Sequence, residues 1–255
     1  MSTSEATSGR HVGGIALTVL APLVLFVLIA VLWELVAVAN SSLLPPLQTV
    51  FAELVSRPLF YLSNLSSTLI AAVAGFVIGG IVAIVLAVAV VYVRVLRAAI
   101  LPLALLVNVT PIVAIAPALV VAFGFNAVPH IVVAALSAFF PVLINAISGL
   151  TAVDREALDV FRAMSGSPFE IFVHLRVPSS LRYVFAGARL SVTAAMVGAV
   201  VSEFTGTVSG IGAVIITATQ YLNLAQMWVG ILFAAVATLL LLLLVGFVER
   251  LVVRW

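Results

Sequence analysis

The sequence predicts an all-α membrane protein with six transmembrane helices. Of its 255 residues 65% are hydrophobic and 8% are charged, and the mean hydropathy is +1.38. Soluble domains average roughly 25% charged residues. Because about 20 apolar residues cross the hydrocarbon core of a bilayer, a chain of this length has room for about six spans. Six apolar runs cover approximately residues 15–39, 65–93, 98–123, 128–150, 183–204 and 227–248.

Residues 1–14 are predicted to be a disordered cytoplasmic tail, and residues 15–255 a single transmembrane domain. The first apolar run is longer than the apolar core of a typical signal peptide, and no obvious small-residue cleavage site follows it. We therefore interpret this run as the first span.

The distribution of arginine predicts the orientation of the spans. The chain has no lysine, and with Arg10 on the cytoplasmic side only Arg57 falls outside, while Arg189 lies just within the fifth span. Cytoplasmic loops carry an excess of basic residues, so both termini are predicted to be cytoplasmic. The other arginines on that side are Arg94, Arg97, Arg155, Arg162, Arg176, Arg182, Arg250 and Arg254.

Two short features lie before the fourth span. Pro46 is predicted to begin an amphipathic helix at the outer surface, because the apolar residues that follow it have helical spacing. The third span contains three prolines, and Asn108 and Thr110 lie beside the middle one, Pro111. Proline frees backbone carbonyls that lipid cannot satisfy. This span is therefore either a kinked packing helix or part of a translocation path, with Asn108 and Thr110 as candidate path residues.

The outer end of the fifth span contains a carboxylate, Glu203, next to a glycine-rich stretch. Such a group is costly near hydrocarbon unless it finds a partner or water. Glu203 is thus a third candidate path residue, or else an interfacial carboxylate bonded to the nearby backbone. Gly206, Gly210 and Gly212 could form a turn that offers backbone donors to an anion. Arg189 is expected to snorkel to the cytoplasm or to pair with an acidic residue of the loop before its span.

Charge is densest in that loop, which we call the polar insert (residues 151–182). It holds four of the nine acidic residues and four of the eleven arginines. Thr151 is a plausible N-cap, with Asp154 in the first turn of a helix over about residues 152–164. Ser165 and Gly166 are expected to end that helix.

A second short helix is predicted to follow at once. Ser167 is a suitable cap, Pro168 suits the first helical position, and Glu170 completes a capping box. Pro178 is expected to stop this helix near Val177.

The insert contains more apolar side chains than a solvated linker needs. These either pack on the protein's own spans or, as we expect of them together, form a docking surface for a cytoplasmic partner. The predicted docking residues are Asp159, Phe161, Arg162, Ala163, Met164, Ser165, Gly166, Ser167, Pro168, Phe169 and Phe172.

Several function classes are excluded by composition. A nucleotide-binding P-loop needs its lysine, and the chain has none, so any ATP and Mg must be bound by partner subunits. Without cysteine there is no thiolate chemistry, and three scattered histidines do not suggest a metal site. We expect no catalytic, cofactor or metal site in this chain, and no nucleic-acid partner because the arginines lie near span ends.

The segment LDVFRAMSGSPFEIFVHLRVPSSL (residues 158–181) resembles the cytoplasmic EAA loop of binding-protein-dependent ABC importer permeases. Counted back from Pro178, the usual glutamate of that loop falls on Asp159 and the usual glycine on Ser165. The stretches PIVAIAPALVVAFGF, FFPVLINAISGL and GAVVSEFTGTVSGIG are similar to the nitrate, sulfonate, taurine and thiamine-precursor branch, and the resemblance covers most of residues 60–250.

This resemblance implies a type I-like permease in a bacterial plasma membrane, with coupling helices between spans four and five. It implies a homodimer, two ATPase subunits and an extracytoplasmic substrate-binding protein, moving a small polar or anionic solute by alternating access. The alternative is an ATP-independent secondary transporter or channel. That class ordinarily has ionisable groups near the bilayer midplane, whereas here they lie near span ends.

Overall fold

The computed structural model describes residues 8–40 and 42–253, and within these residues all regular structure is helical. Residues 1–7 of the predicted tail, together with Arg254, lie outside the described residues, and the first helix begins at Ser8 rather than near residue 15. The α-helices of the described residues are α1 (Ser8–Ala39), α2 (Leu47–Ser56), α3 (Pro58–Tyr92), α4 (Arg94–Val109), α5 (Ile112–Phe123), α6 (Ala127–Thr151), α7 (Arg155–Ala163), α8 (Pro168–Ile171), α9 (Val177–Ser202), α10 (Ile211–Gln220) and α11 (Leu224–Val252). A π-helical turn (Phe172–Arg176) precedes α9, and a 3-10 turn (Glu203–Thr205) follows it.

Five segments of the described chain are long and apolar enough to cross a membrane. They are Leu20–Ala39 within α1, the whole of α3, α6 and α11, and the stretch Pro168–Thr205, which contains α8 and α9. The third predicted span is instead divided into α4 and α5, which meet at Thr110 and Pro111. Proline lacks a backbone donor and disfavours helical geometry in the residue before it. Thr110 accordingly has extended backbone angles, φ −65° and ψ 129°.

The core of the protein is the packing of α6 between α3 and α9. Small residues fill the contacts: Ala83, Ala134 and Ala195 are fully buried. A Cβ added to Gly79 of α3 would collide with the carbonyl oxygen of Ala135 in α6. Small residues let membrane helices approach closely and gain van der Waals contact, so these three helices form a rigid frame for the two ends of the molecule.

The amphipathic helix expected after Pro46 is α2, which packs against α11. Val50 is buried in this contact. Glu34 of α1 accepts a hydrogen bond from the backbone N–H of Leu47 at 3.1 Å, and the rings of Trp33 and Trp228 meet edge to face at 4.4 Å. Glu34 therefore helps to hold the start of α2 against α1.

Candidate functional site

The polar insert begins with a helix that is capped by Asp154 and not by Thr151. The carboxylate of Asp154 accepts from the backbone N–H of Glu156 at 3.1 Å, and α7 starts at Arg155. Thr151 is the last residue of α6, and its hydroxyl donates to the carbonyl of Ile147 at 2.8 Å. The predicted cap was wrong because α6 extends to Thr151, one residue past the predicted span, and the next helix starts only at Arg155.

The turn after α7 has the geometry of a Schellman motif. Ser165 has a φ of +58°, its N–H donates to the carbonyl of Arg162 at 3.0 Å, and the N–H of Gly166 donates to that of Phe161 at 2.8 Å. A Cβ on Gly166 would lie 2.8 Å from this Phe161 oxygen. The expectation that Ser165 and Gly166 end the helix is confirmed.

The capping box at the start of α8 is also confirmed. Ser167 Oγ accepts from the N–H of Glu170 at 3.2 Å, and Glu170 Oε2 accepts from the N–H of Ser167 at 2.7 Å. Pro168 takes the first helical position, where its missing donor costs nothing.

Pro178 does not stop the second helix, which corrects the sequence prediction. The chain passes from α8 through the π-helical turn directly into α9, and the N–H of Val177 donates to the carbonyl of Phe172 five residues earlier. The π-helical turn widens the helix just before Pro178, so the chain continues past a residue that has no backbone donor. Residues 168–202 therefore form one continuous helical rod.

Two side chains attach this rod to the ends of α3 and α6. Nη1 of Arg176 donates to the carbonyl of Leu150 at 2.8 Å, and its guanidinium lies 5.8 Å from the ring centre of Tyr92. Phe172 contacts the same tyrosine edge to face, with ring centres 5.9 Å apart. Arg176 thereby satisfies one of the unpaired carbonyls that every helix C-terminus leaves.

Most of the predicted docking residues are exposed. Met164 is 78% exposed and Phe169 73%, whereas Phe161, Gly166 and Phe172 are partly buried. Asp159 and Arg162 form an ion pair at 3.5 Å that is open to solvent. Phe172 thus packs on the protein's own helices, whereas Met164 and Phe169, which flank the Ser165–Ser167 turn in sequence, are open to solvent.

The three candidate path residues do not meet in one place. Asn108 lines a cavity of about 330 Å³ together with Ser137 and Gly198, where α4, α5, α6 and α9 approach one another. Thr110 is exposed, and its hydroxyl donates to the carbonyl of Leu106 at 2.7 Å. Glu203 lies at the far end of α9.

Glu203 is 2% exposed and accepts hydrogen bonds from two other elements. Its Oε2 accepts from Oγ1 of Thr68 at 3.0 Å and from the N–H of Gly212 at 2.7 Å. The N–H of Ile211 donates to Oγ1 of Thr68 at 2.8 Å, and that of Gly210 to Oδ1 of Asn64 at 3.1 Å. We call these six residues the Glu203 network; it connects α3, the turn that follows α9 and the start of α10.

The network changes the interpretation of the glycine-rich stretch. The N–H groups of Gly210 and Gly212, expected to be available to an anion, are bonded to side chains of the protein itself. Gly210 has a φ of +118°, and a Cβ there would collide with the carboxyl of Glu203. These glycines therefore let α10 begin directly against a buried carboxylate, at the positive end of its helix dipole.

Asn64 and Thr68 were missed by the sequence reasoning. A signal does exist: they are polar residues four positions apart, on one face of an otherwise apolar helix. Beside the network, Glu203, Asn126 and His130 line a cavity of about 190 Å³, and Nδ1 of His130 lies 2.9 Å from Oγ of Ser202.

Arg189 pairs with a different partner from the one expected. Its Nη2 lies 2.6 Å from Oε2 of Glu249 in α11, and not next to an acid of the polar insert. No group of three or more histidine and acidic side chains suited to a metal ion occurs among the described residues.

Comparison with known proteins gives a consistent family. The profile of the binding-protein-dependent transport system inner membrane component matches residues 75–255. The formylaminopyrimidine transport permease protein of Halalkalibacterium halodurans is 30% identical over 197 residues, which are 76% of this chain and 78% of that protein. A Bacillus subtilis protein named as a permease for aliphatic sulfonates is 29% identical over 240 residues, 91% of this chain and 86% of the relative.

A further relative is the riboflavin transport system permease protein of Chloroflexus aurantiacus, 32% identical over 164 residues. That match covers 64% of this chain and 61% of the relative, which is less than two thirds of its length. With the family profile covering well over half of the chain and the helical spans described above, the chain belongs to the family of binding-protein-dependent transport system inner membrane components, the permease components of ABC importers.

Proposed function

We propose that this chain forms the translocation path of an ATP-driven importer and that the polar insert docks a separate ATPase subunit, which binds the ATP and Mg. The observation that supports this most directly is the form of the insert. Two short helices, capped by the side chains of Asp154 and Ser167, meet at a defined turn and present exposed apolar residues. A solvated linker needs none of these features.

The insert is also suited to transmit movement. Force applied at α7 and α8 passes along the unbroken helix into α9, and to α3 and α6 through Tyr92 and Leu150. The same α9 lines the Asn108 cavity through Gly198 and ends at Glu203. Movement of the docked subunit would thereby tilt the helix on which both candidate path regions lie, as alternating access requires.

The substrate we propose is a small polar or anionic solute of the nitrate, sulfonate, taurine or thiamine-precursor type. The relatives' names refer to riboflavin, formylaminopyrimidine and aliphatic sulfonates. The Asn108 cavity combines an amide and the Ser137 hydroxyl with apolar walls, which suits a compact polar solute. We further propose a homodimer with two ATPase subunits and an extracytoplasmic binding protein, in a bacterial plasma membrane with both termini cytoplasmic.

Single-cysteine crosslinking tests the docking proposal, because the chain contains no cysteine of its own. Met164→Cys and Phe169→Cys are expected to crosslink to the partner ATPase subunit, and nucleotide is expected to change the yield. Val208→Cys is the matched control, since it is fully exposed at the opposite end of α9. Crosslinking from Val208→Cys alone, or solute uptake by the purified chain in liposomes without any ATPase, would refute the proposal.

A further inference from the structure

A cleft of about 530 Å³ lies between α9 and α11, at the end of the molecule that carries the polar insert. Its lining combines two cations with apolar side chains and one glycine. The lining residues are Arg189, Leu242, Leu243, Gly246, Phe247 and Arg250. Neither the coupling nor the translocation described above uses this cleft.

Among the described residues, the cleft and its paired acid carry one net positive charge, because Arg189 and Arg250 contribute two and Glu249 offsets one. Arg189 is paired with Glu249, whereas Arg250 forms no ion pair with any other described residue. A Cβ on Gly246 would lie 3.5 Å from Nη2 of Arg189, so the guanidinium extends across the glycine into the cleft. Guanidinium groups bind phosphate oxygens with two parallel hydrogen bonds. One net positive charge matches the single negative charge of a phosphodiester.

The walls of the cleft point to a ligand with a large apolar part. Leu243 and Phe247 are exposed, and the outward face of α11 continues away from the arginines through Leu239 and Leu240, which are exposed as well. A water-soluble anion would leave these side chains uncovered. An acyl chain would cover them while its headgroup stays beside the arginines.

We propose that this cleft binds an anionic phospholipid with one phosphodiester charge, such as phosphatidylglycerol. The phosphate lies between Arg189 and Arg250, and one acyl chain follows α11. Basic pockets between transmembrane helices near the membrane surface are suited to anionic headgroups. Because the lipid contacts both α9 and α11, its binding stabilises the contact between these two helices.

Thermal unfolding of the purified transporter complex in neutral detergent tests the proposal. Adding short-chain phosphatidylglycerol is expected to raise the Tm in a saturable manner, and phosphatidylcholine is not. Arg250→Gln is expected to raise the half-saturating phosphatidylglycerol concentration about fivefold, the effect of one arginine at an anionic lipid surface. Gly246→Leu, which fills the cleft, should remove the saturable shift.

The control is Arg57→Gln, since Arg57 pairs with Glu53 at the opposite end of the protein. It should leave the phosphatidylglycerol response unchanged. An unchanged response in both Arg250→Gln and Gly246→Leu would overturn the proposal. An equal rise in Tm with inorganic phosphate would identify a free anion as the ligand and overturn the lipid assignment. No rise in Tm with either phosphatidylglycerol or phosphate would also overturn it, and is the result expected if a second copy of the chain fills the cleft.

Discussion

Replacement of Thr68 by valine tests whether the Glu203 network holds α10 against α3. Valine keeps the size and branching of threonine but removes Oγ1. That atom donates to Glu203 at 3.0 Å and accepts from the N–H of Ile211 at 2.8 Å. Thr68 is fully buried, so water does not replace either bond in the folded protein.

The magnitude follows from these two hydrogen bonds. Side-chain hydrogen bonds between membrane helices average about 0.6 kcal/mol, because the unfolded chain in the membrane also finds partners. A bond to a buried charged group contributes about 1.5–3 kcal/mol, and an unpaired buried N–H costs about 1–3 kcal/mol. The two ranges add to about 2.5–6 kcal/mol. The small average between membrane helices favours the lower end of that sum, so we expect a loss of about 3 kcal/mol.

Equilibrium unfolding in mixed micelles measures this loss, with Thr68→Ser as the matched variant. Serine keeps the hydroxyl and removes only a methyl group, which should cost about 1 kcal/mol. Hydrogen exchange at the start of α10 should quicken in Thr68→Val and stay near the original rate in Thr68→Ser. If the two variants differ by less than about 0.5 kcal/mol, the network does not stabilise this end of the protein.

Three further predictions concern the polar insert. Gly166→Val should uncouple ATP hydrolysis from uptake without preventing membrane insertion, because the new side chain meets the Phe161 carbonyl. The control is Gly80→Val, where no atom lies within 4 Å of the new Cβ. Equal uptake by the two variants would contradict the reasoning. Ser165→Gly should relieve a left-handed backbone conformation and stabilise the turn by about 1 kcal/mol, seen as slower hydrogen exchange in α7; unchanged or faster exchange would count against it. Arg176→Gln should destabilise the packing of the insert on α3 and α6 by about 1 kcal/mol and speed hydrogen exchange in the insert, and Arg176→Lys should have an intermediate effect. An unchanged exchange rate in Arg176→Gln would show that this contact does not anchor the insert.

Local features of the insert could be predicted only in part. Ser167 and Glu170 bond each other's backbone N–H groups within a single turn, so their capping box could be identified from spacing alone. Thr151 and Asp154 are both good caps, and the choice between them depended on where α6 ends. Pro178 is a local stop signal that the π-helical turn accommodates.

The sequence by itself determined the membrane class, the family and the position of the insert, because hydropathy, arginine placement and turn residues act over short stretches of chain. Only the tertiary structure decided the partners of the charged groups. Thr68 and Glu203 are 135 residues apart, and Arg189 meets Glu249 across two helices. A buried carboxylate must find donors somewhere, but which donors it finds depends on how α3, α9 and α10 pack, and no local pattern states that.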